Sequence, residues 1–452
     1  MATRPKLTFS FNEIKGTKNA DTLSGAYGRI NIIHGGDGDD TITGGNLMDV
    51  IYGDKGSDTI HGGSGNDVIY GGAGKDVIDG GEGDDAIYAL NDGDTINGGA
   101  GYDTLDYSLA AKGVYVDMVK GRSYDAATGA EGDSFTRIER IVGSDHDDMI
   151  VGGHGNDTLE GGKGNDWIAG GAGSDHLIGG DGDDVLVGYI GVGNPLLDKA
   201  DILEGGAGND ILQGDGGGDQ LYGDEGDDML FGGAGADLLH GGEGIDTAIY
   251  VGPVTVDLLA GKGYGGEAQG DALIGIENIH AGDQDDRLYG GNGANGIVGG
   301  GGSDLLDGRG GKDVLQGGAG RDTIIGGAGA DELWGNQRDF PGSDQARDIF
   351  VYNQWTDSYG LAMDRIMDFD STSTLGRNDL IDLRAIDANP QLFGDQAFKF
   401  IGDADFTSVG QVQVRFEGGD TIVRANIFGN LVPELVIRVE GLHQLDASDF
   451  LL

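Results

Sequence analysis

The sequence predicts an all-β fold, a parallel β-roll built from nine-residue repeats. Two observations predict it. Glycine supplies 94 of the 452 residues, and an aspartate and an aliphatic residue recur in fixed phase every nine residues. From Gly35 the chain reads GGDGDDTIT, GGNLMDVIY, GDKGSDTIH, GGSGNDVIY, GGAGKDVID and GGEGDDAIY. Self-similarity at a fixed period indicates a repeat architecture and argues against a disordered low-complexity chain.

Each repeat predicts one turn followed by one short strand. The six residues G-G-x-G-x-D suit a turn, because glycine adopts positive φ and lets backbones approach closely. The next three residues form a strand whose central aliphatic side chain faces inward. If each repeat is half a coil, residues 18 apart stack about 4.8 Å apart, the spacing of neighbouring strands. The aliphatic residues then fill the space between two parallel sheets, and the aspartates form two columns, one along each edge.

The two aspartate columns predict a need for cations. Carboxylates stacked about 5 Å apart repel each other by roughly 1–3 kcal/mol per pair. We therefore expect the coil to be unfolded without a counter-charge and to order around divalent cations between its turns. Carboxylate and carbonyl oxygens, without nitrogen or sulfur, suit Ca²⁺ better than zinc or copper. The flexible geometry and the many carboxylates favour Ca²⁺ over Mg²⁺.

Composition and charge restrict the possible partners. The chain has 78 Asp and Glu against 28 Lys and Arg, a formal net charge of −50. Nucleic acid is excluded as a partner, because little positive charge is present to offset its phosphates. The lack of cysteine excludes disulfides, thiolate nucleophiles and Cys-ligated metal sites. No apolar run approaches the roughly 18 residues of a membrane span, so no membrane span is predicted.

Several repeats closely resemble the RTX, or hemolysin-type, calcium-binding family, notably GGSGNDVIY, GGAGKDVID, GGKGNDWIA and GGAGRDTII. The resemblance covers about residues 16–335. It implies a parallel β-roll in which Asp side chains and glycine-turn carbonyls of consecutive coils hold Ca²⁺. It also implies a secreted, extracellular or cell-surface protein. The type I secretion machinery would export it unfolded, and it would fold on Ca²⁺ outside the cell.

The candidate Ca²⁺ ligands are the sixth-position aspartates and the turn glycines of the more regular repeats. The aspartates are Asp40, Asp49, Asp58, Asp67, Asp76, Asp85, Asp103, Asp157, Asp166, Asp175, Asp184, Asp210, Asp219, Asp228, Asp237, Asp246, Asp304, Asp313, Asp322 and Asp331. The glycines are Gly63, Gly65, Gly72, Gly74, Gly162, Gly164, Gly171, Gly173, Gly318 and Gly320. Pairs of such positions 18 residues apart predict up to about 18 Ca²⁺ per chain.

Irregular repeats are expected to bind Ca²⁺ weakly or not at all. In four of them another residue replaces the fourth-position glycine, and in two an asparagine replaces the sixth-position aspartate. The first group is Leu47, Asp92, His146 and Gln284, and the second is Asn31 and Asn295.

The repeats fall into three blocks separated by two inserts. The predicted segments are an N-terminal extension 1–15, block one 16–103, insert 104–142, block two 143–246 with a loop insertion 188–200, insert 247–281, block three 282–335 and a C-terminal capping β-domain 336–452. Both inserts contain Val-x-Val-Asp, a Gly/Lys turn, and Gly-Asp before an Ile-Glu-x-Ile run, which predicts β-hairpins. We interpret them as caps that shield block ends. The alternative is a partner surface that uses Tyr115, Tyr124 or Tyr264.

The C-terminal region predicts a small β-domain that closes the last coil. Its strands are expected at 348–352, 364–369, 379–383, 397–401, 411–416, 421–425 and 434–439. At DRIMDFDSTSTLGRNDLIDL it resembles the C-terminal domain of serralysin-like secreted proteins, without their protease domain, and the final ASDFLL resembles a type I export signal. Five aspartates here are either further Ca²⁺ ligands or solvated strand ends: Asp364, Asp368, Asp370, Asp379 and Asp382.

The sequence lacks the motifs of the common catalytic classes. It has no His-Glu-x-x-His zinc motif, no Gly-x-Ser-x-Gly nucleophile elbow and no phosphate-binding loop. We therefore predict a non-catalytic adhesin, surface-layer protein or biofilm-matrix component, with acidic polysaccharide or the cell surface as partner and self-assembly possible. One alternative is a polysaccharide-modifying enzyme of the epimerase or lyase type, or an accessory module of one. The other is a membrane-active toxin or cation pore.

Overall fold

The computed structural model describes residues 11–190, 199–336, 346–360, 362–371, 378–392 and 394–452. Parts of several predicted segments lie outside these residues. They are residues 1–10 of the N-terminal extension, 191–198 of the loop insertion, and 337–345 and 372–377 of the C-terminal region.

The chain divides into two compact units, Met1–Asp228 and Met229–Leu452. Apart from two short 3₁₀ turns, Gly266–Ala268 and Ala447–Asp449, the regular structure in the described residues is β-strand. In each unit the strands alternate between two sheets, so that each half-turn of the coil adds one strand to one sheet. Each unit is a parallel β-roll, as the sequence predicted.

Eleven described strands of the N-terminal unit form its first sheet, N1. They are β1 (Phe11–Lys15), β3 (Ile30–Asp37), β5 (Val50–Lys55), β7 (Val68–Tyr70), β9 (Ala86–Tyr88), β11 (Thr104–Asp106), β15 (Arg140–Val142), β17 (Thr158–Lys163), β19 (His176–Asp181), β21 (Ile202–Ala207) and β23 (Gln220–Glu225). They pair in this order, and every pair is parallel.

The second sheet of this unit, N2, contains the strands between those of N1. They are β2 (Thr22–Ser24), β4 (Thr41–Gly45), β6 (Thr59–Ser64), β8 (Val77–Glu82), β10 (Thr95–Ala100), β12 (Val114–Asp117), β13 (Arg122–Asp125), β14 (Glu131–Thr136), β16 (Met149–Val151), β18 (Trp167–Ala169), β20 (Val185–Val187) and β22 (Ile211–Gln213). Except at β12 to β14, they pair in parallel in chain order.

The C-terminal unit also has two main sheets, C1 and C2. C1 contains β25 (Leu238–Glu243), β27 (Thr255–Asp257), β28 (Lys262–Tyr264), β29 (Ala272–Ile274), β31 (Arg287–Tyr289), β33 (Leu305–Asp307), β36 (Thr323–Ile325), β39 (Ile349–Val351), β41 (Leu380–Asp382) and β46 (Phe450–Leu451). C2 contains β24 (Met229–Phe231), β26 (Thr247–Ile249), β30 (Asn278–His280), β32 (Gly296–Gly302), β35 (Val314–Gly320), β38 (Glu332–Trp334), β40 (Arg365–Ile366), β42 (Lys399–Phe400), β43 (Gln411–Glu417), β44 (Asp420–Asn426) and β45 (Leu435–Val439). Two short strands pair separately, β34 (Gly310–Gly311) with β37 (Ala328–Gly329).

The core is the row of inward aliphatic side chains that the repeat predicts. Ile33, Ile51 and Ile69 align from strand to strand in N1, while Ile42 and Ile60 align in N2. All five are fully buried. Because burying one such side chain contributes only about 1.5–3 kcal/mol, a stack of narrow coils depends on many identical layers.

Both inserts are three-stranded antiparallel units built into a sheet. In N2, β14 pairs with β10 and β12 pairs with β16, both in parallel, and β13 lies antiparallel between β12 and β14. In C1, β29 pairs with β25, β27 pairs with β31, and β28 lies between β27 and β29. The outer strands of each insert thus pair with the repeat strands on either side of it, so each insert lies between two repeat blocks within one sheet.

The C-terminal region extends the roll before closing it. The strands β39, β40 and β41 continue the parallel ladders of C1 and C2. The antiparallel strands β43, β44 and β45 then join C2 through β40, and β46 pairs with β41 at the end of C1. A strand forms within each of the seven segments that the sequence predicted.

An aromatic ladder lies on one face of N1. His34, Tyr52, Tyr70 and Tyr88 occupy equivalent positions of successive coils, and their rings stack with centroids 4.4–4.8 Å apart. Their planes differ by 12° or less. The ring spacing equals the strand spacing, so the ladder reports coil stacking.

Candidate metal centre

The sixth-position aspartates lie where each turn enters its strand and form two hydrogen-bonded columns. The backbone N–H of Asp40 donates to Oδ1 of Asp58 over 2.7 Å, and that of Asp58 donates to Asp76 over 2.8 Å. In the other column Asp49 donates to Asp67 and Asp67 to Asp85. Oδ1 of each of these aspartates thus accepts a hydrogen bond from the aspartate N–H of the preceding coil.

The loop insertion leaves the columns in phase. The N–H groups of Asp175 and Asp184 donate to Asp201 and Asp210, across 26 residues instead of 18. The next described strand, β21, pairs with β19 in register.

The second carboxylate oxygen, Oδ2, is buried and lacks a donor in many repeats. Within the described chain no hydrogen bond reaches this atom in Asp40, Asp58, Asp67, Asp76, Asp85, Asp94, Asp103, Asp166, Asp184, Asp210, Asp286, Asp304, Asp313 and Asp331. Buried polar atoms are nearly always hydrogen-bonded, so a regular series of orphaned oxygens calls for another partner.

The first glycine of a repeat supplies a second oxygen at the same place. A Cβ on Gly35 would lie 2.5 Å from Oδ2 of Asp40 and 2.6 Å from the carbonyl oxygen of Gly53. A Cβ on Gly299 would similarly meet Oδ2 of Asp304 and the carbonyl of Gly317. Carboxylate and carbonyl oxygens therefore converge on a space that only glycine leaves open. Such an oxygen-only donor set fits a hard cation such as Ca²⁺.

All ten candidate turn glycines adopt positive φ, between 99° and 150°. At Gly63 and Gly74 a Cβ would overlap the carbonyl oxygens of Gly45 and Gly56 in the preceding coil. Two requirements, left-handed backbone and close approach between coils, thus select glycine at these positions.

Burial and crowding raise the pKa of many column carboxyls, Asp67, Asp76 and Asp166 among them. Burial, partly offset by the backbone N–H bond and increased by neighbouring carboxylates, raises the pKa of Asp67 and Asp76 to about 7. The same causes raise the pKa of Asp166 to about 8. Near neutral pH the folded columns therefore resist ionisation unless a cation balances their charge.

Three irregular repeats differ in geometry. Where Leu47 and His146 replace the fourth glycine, Oδ2 of Asp49 and Asp148 accepts an N–H of its own turn, from Gly45 and Ser144 respectively. At Asn295, Oδ1 accepts from Gly291 and the amide donates to the carbonyl of Glu277. These side chains use internal partners, whereas many regular repeats leave Oδ2 without a donor. Asp157 is an exception among the regular repeats, because its Oδ2 accepts the N–H of Gly153 over 2.6 Å.

Sequence reasoning missed the residues that continue the columns through the inserts. Asp133 and Asp271 accept from the N–H groups of Asp94 and Asp237, as the next repeat aspartate would. Glu139 and Glu277 accept from Asp103 and Asp246 in the same way. Two motifs shared by the inserts contain these residues: Gly-Asp contains the aspartates, and Ile-Glu-x-Ile contains the glutamates.

Three buried tyrosines mark interruptions of the repeat. Tyr107, Tyr250 and Tyr352 each follow a column aspartate by four residues, where a regular repeat has its first glycine, and all are at most 1% exposed. The hydroxyl of Tyr250 donates to Oδ2 of Asp271 over 3.2 Å. A tyrosine ring fits at this position because an irregular segment, and not the next nine-residue repeat, follows it in the chain.

The five C-terminal aspartates have different surroundings. Asp364 and Asp379 accept from Asp331 and Asp348 and extend the columns. Asp368 accepts from Gly335 and Asn336, the N–H of Asp370 donates to Asp379, and Asp382 pairs with Arg384. The structure thus brings Asp364 and Asp379, with Asp348, into the predicted arrangement.

A family model described as RTX calcium-binding nonapeptide repeat (4 copies) matches nine segments, several of which overlap. They are residues 26–46, 43–78, 70–105, 135–168, 160–192, 197–230, 213–248, 271–306 and 307–337. Together these matches cover more than half of the chain. The chain belongs to this RTX repeat family. RTX repeats bind calcium and are typical of secreted proteins, and the many repeats indicate multiple Ca²⁺ sites.

Among solved structures, the chain is similar to the extracellular lipase LipA from Serratia marcescens. The identity is 17% and the TM-score 0.24, over 66% of this chain and 45% of the lipase. The alignment thus spans less than half of the lipase's length. No curated protein gives a significant match. In the part of the RTX chain that the structure describes, no helix has the length and apolar character needed to cross a membrane.

Proposed function

We propose that this RTX chain is a secreted, non-catalytic scaffold that folds on Ca²⁺ and acts at the cell surface or in an extracellular matrix. One observation carries the proposal: columns of buried carboxylates run through the repeats of each unit, and carboxylates of both inserts and of the start of the C-terminal region accept from them in the same way. An enzyme needs a few convergent groups, whereas this arrangement repeats one oxygen-lined space many times.

Calcium is proposed to bind between consecutive turns at the two columns. The ligands are Oδ2 of the sixth-position aspartates and the carbonyl oxygens of the turn glycines. This assignment is supported by the orphaned Oδ2 atoms and the carbonyls beside them. Repeats whose aspartate accepts an N–H of its own turn, such as those of Asp49 and Asp148, are expected to bind more weakly.

The proposed partner is an acidic polysaccharide of the producing cell or its matrix. With a formal net charge of −50, the protein is repelled by polyanions unless cations are shared between the two. Exposed carboxylates outside the columns can bind further Ca²⁺ and share it with the polymer. Folding after type I export fits the same chemistry, since calcium is scarce in the cytosol.

Folding is tested by circular dichroism of the full chain, titrated separately with Ca²⁺ and Mg²⁺. The β-sheet spectrum is expected to appear with Ca²⁺ and to be lost in chelator, while Mg²⁺ at the same concentration has little effect. A metal count of only one or two Ca²⁺ per chain after dialysis would contradict the column assignment.

The scaffold role is tested with immobilised polyuronate, with neutral dextran as the control. The Ca²⁺-loaded protein should be retained by polyuronate and not by dextran, and sedimentation should detect any self-assembly. Failure both to bind the polymer and to assemble would overturn the scaffold role. New double bonds or epimerised residues in the polymer would favour the enzymatic alternative, and leakage of liposomes would favour the toxin.

A further inference from the structure

Three carboxylates converge where the first insert leaves the roll. Asp92, Asp94 and Asp133 each place one oxygen within 4.8 Å of an oxygen of the other two. Asp94 and Asp133 are 1% and 0% exposed, and among the described residues nothing donates a hydrogen bond to Oδ2 of Asp94. The buried hydroxyl of Tyr107 lies beside the carboxylate of Asp133. Only Asp94 belongs to the regular ligand pattern. Asp92 stands where the repeat has its fourth glycine, and Asp133 comes from the insert.

Hydrogen bonds fix this cluster from both sides. Oδ1 of Asp133 accepts from the N–H groups of Gly93 and Asp94 over 2.9 and 2.8 Å. The buried hydroxyl of Ser123 donates to Oδ1 of Asn91 and accepts from the N–H of Asp133, both over 2.8 Å. The turn that holds Asp92 is thereby tied to the insert that holds Asp133.

The lysine side chains near this cluster either pair with other carboxylates or lie against the backbone beside it. Lys112 and Lys120 of the insert pair with Asp125 and Asp117. The Lys75 side chain passes over the backbone of Gly93, where a Cβ would lie 3.1 Å from Nζ. Three carboxylates with oxygens within 4.8 Å of one another, two of them buried, need a stronger counter-charge than a neighbouring ammonium group.

We infer that Asp92, Asp94 and Asp133 together hold one Ca²⁺ in a site that the first insert completes and the repeats alone do not build. The inference rests on the proposed function only for the choice of metal. An all-carboxylate donor set with an open, exposed side suits Ca²⁺, which accepts additional water ligands.

The second insert lacks such a site and shows what the first adds. Its equivalent residue, Asp271, also accepts from a column N–H, that of Asp237. Its Oδ2, however, accepts from the hydroxyl of Tyr250, and Gly235 stands at the position of Asp92. The third carboxylate, Asp92, is thus the feature that distinguishes the first insert.

The test is the number of Ca²⁺ ions on the full chain, counted by native mass spectrometry at saturating Ca²⁺. Asp92→Asn, Asp133→Asn and the double variant are each expected to carry one ion fewer than the wild type. The double variant loses one ion and not two, because both residues bind the same ion. Asp92→Asn is the decisive variant, since the one hydrogen bond that this exposed carboxylate accepts among the described residues, from the N–H of Gly74 over 3.1 Å, can also be accepted by an asparagine oxygen.

Two controls separate the site from a general charge effect. Glu243→Gln removes an exposed carboxylate elsewhere and should leave the count unchanged. Lys75→Gln should also leave it unchanged. An unaltered count in Asp92→Asn would overturn the site. A wild type that carries no more than one or two ions, one of them lost in Asp92→Asn, would instead overturn the column assignment and leave this site standing.

Discussion

The regular coils of residues 30–106 and the two inserts balance their acidic groups differently. In the regular coils the column carboxylates have orphaned oxygens and face other carboxylates and carbonyls. In the inserts several carboxylates meet cationic side chains: Lys120 pairs with Asp117 in the first, and Arg309 clamps Asp257 in the second. The coils therefore depend on an external cation, whereas these insert carboxylates meet cationic side chains of the protein, from the insert itself for Asp117 and from block three for Asp257.

The largest difference should appear as a pH dependence of the Ca²⁺-free chain. Burial raises the folded-state pKa of Asp58 to about 6 and that of Asp94 to about 8, above the roughly 3.9 of an unfolded aspartate. A raised pKa favours the folded state at low pH, and this contribution is lost as pH rises from about 4 to 8. In chelator, the β-sheet signal should be stronger at pH 4.5 than at pH 8. No gain on acidification would contradict the burial of these carboxyls.

The second-largest effect is expected in a column variant whose change in unfolding free energy differs in direction with and without Ca²⁺. Asp76→Asn removes a charged ligand and is expected to destabilise the Ca²⁺-loaded chain by about 1.5–3 kcal/mol, as for hydrogen bonds to charged groups. In chelator the same variant should be neutral or stabilising, because burial and crowding raise the pKa of Asp76 to about 7. Urea unfolding measures both values, with Ca²⁺ at pH 7.5 and in chelator at pH 4.5, where the β-sheet signal is expected to persist. Equal destabilisation in both conditions would show that Asp76 has only a structural role.

Breaking an ion pair at an insert should lower the free energy of unfolding by an amount that depends less on Ca²⁺. Arg309 donates to both oxygens of Asp257 over 2.7 and 2.8 Å, and both side chains are about one-quarter exposed. Arg309→Met leaves a half-buried carboxylate without its partner, and we expect a loss of about 1–2 kcal/mol.

The matched control is Lys55→Met, which breaks an exposed pair with Asp37. Exposed pairs contribute about 0–1 kcal/mol, so this variant should unfold nearly as the wild type does. If both variants lose the same stability, the bidentate pair has no special role in the insert.

The smallest effect concerns the aromatic ladder of the regular coils. Tyr70→Ala interrupts the stack between Tyr52 and Tyr88 and should cost about 0.5–1.5 kcal/mol beyond the buried area. Tyr70→Phe preserves the stacking and serves as the control. Near-ultraviolet circular dichroism should weaken in the first variant and change less in the second. Similar spectra for the two would show that the rings stack without coupling.

The regular part of the fold could be predicted from the sequence because the repeat leaves few choices. One aliphatic residue every nine positions fixes which side chains are buried, as Ile42 and Ile51 show. Turn glycines such as Gly63 fix where the backbone has positive φ. The inserts were harder, since alternating residues predict strands but do not determine which sheet the strands join.

The same limit explains the residues that were missed at the site. Asp133 and Glu139 lie outside the nine-residue phase, so their place in the columns depends on how the chain returns from the insert. Asp382 is the converse case. Its position after a strand suggested a ligand, but Arg384, two residues later, supplies its partner. Spacing identifies ligands only while the repeat remains uninterrupted.

Hydrogen exchange, followed by mass spectrometry on the full chain, tests the central claim most directly. With Ca²⁺, amides of residues 30–106 should be strongly protected. In chelator near pH 7.5 they should exchange as in an unfolded chain, and protection should return with Ca²⁺ but not with Mg²⁺. If these amides were equally protected with and without Ca²⁺, the carboxylate columns would not need a metal, and the account would be wrong.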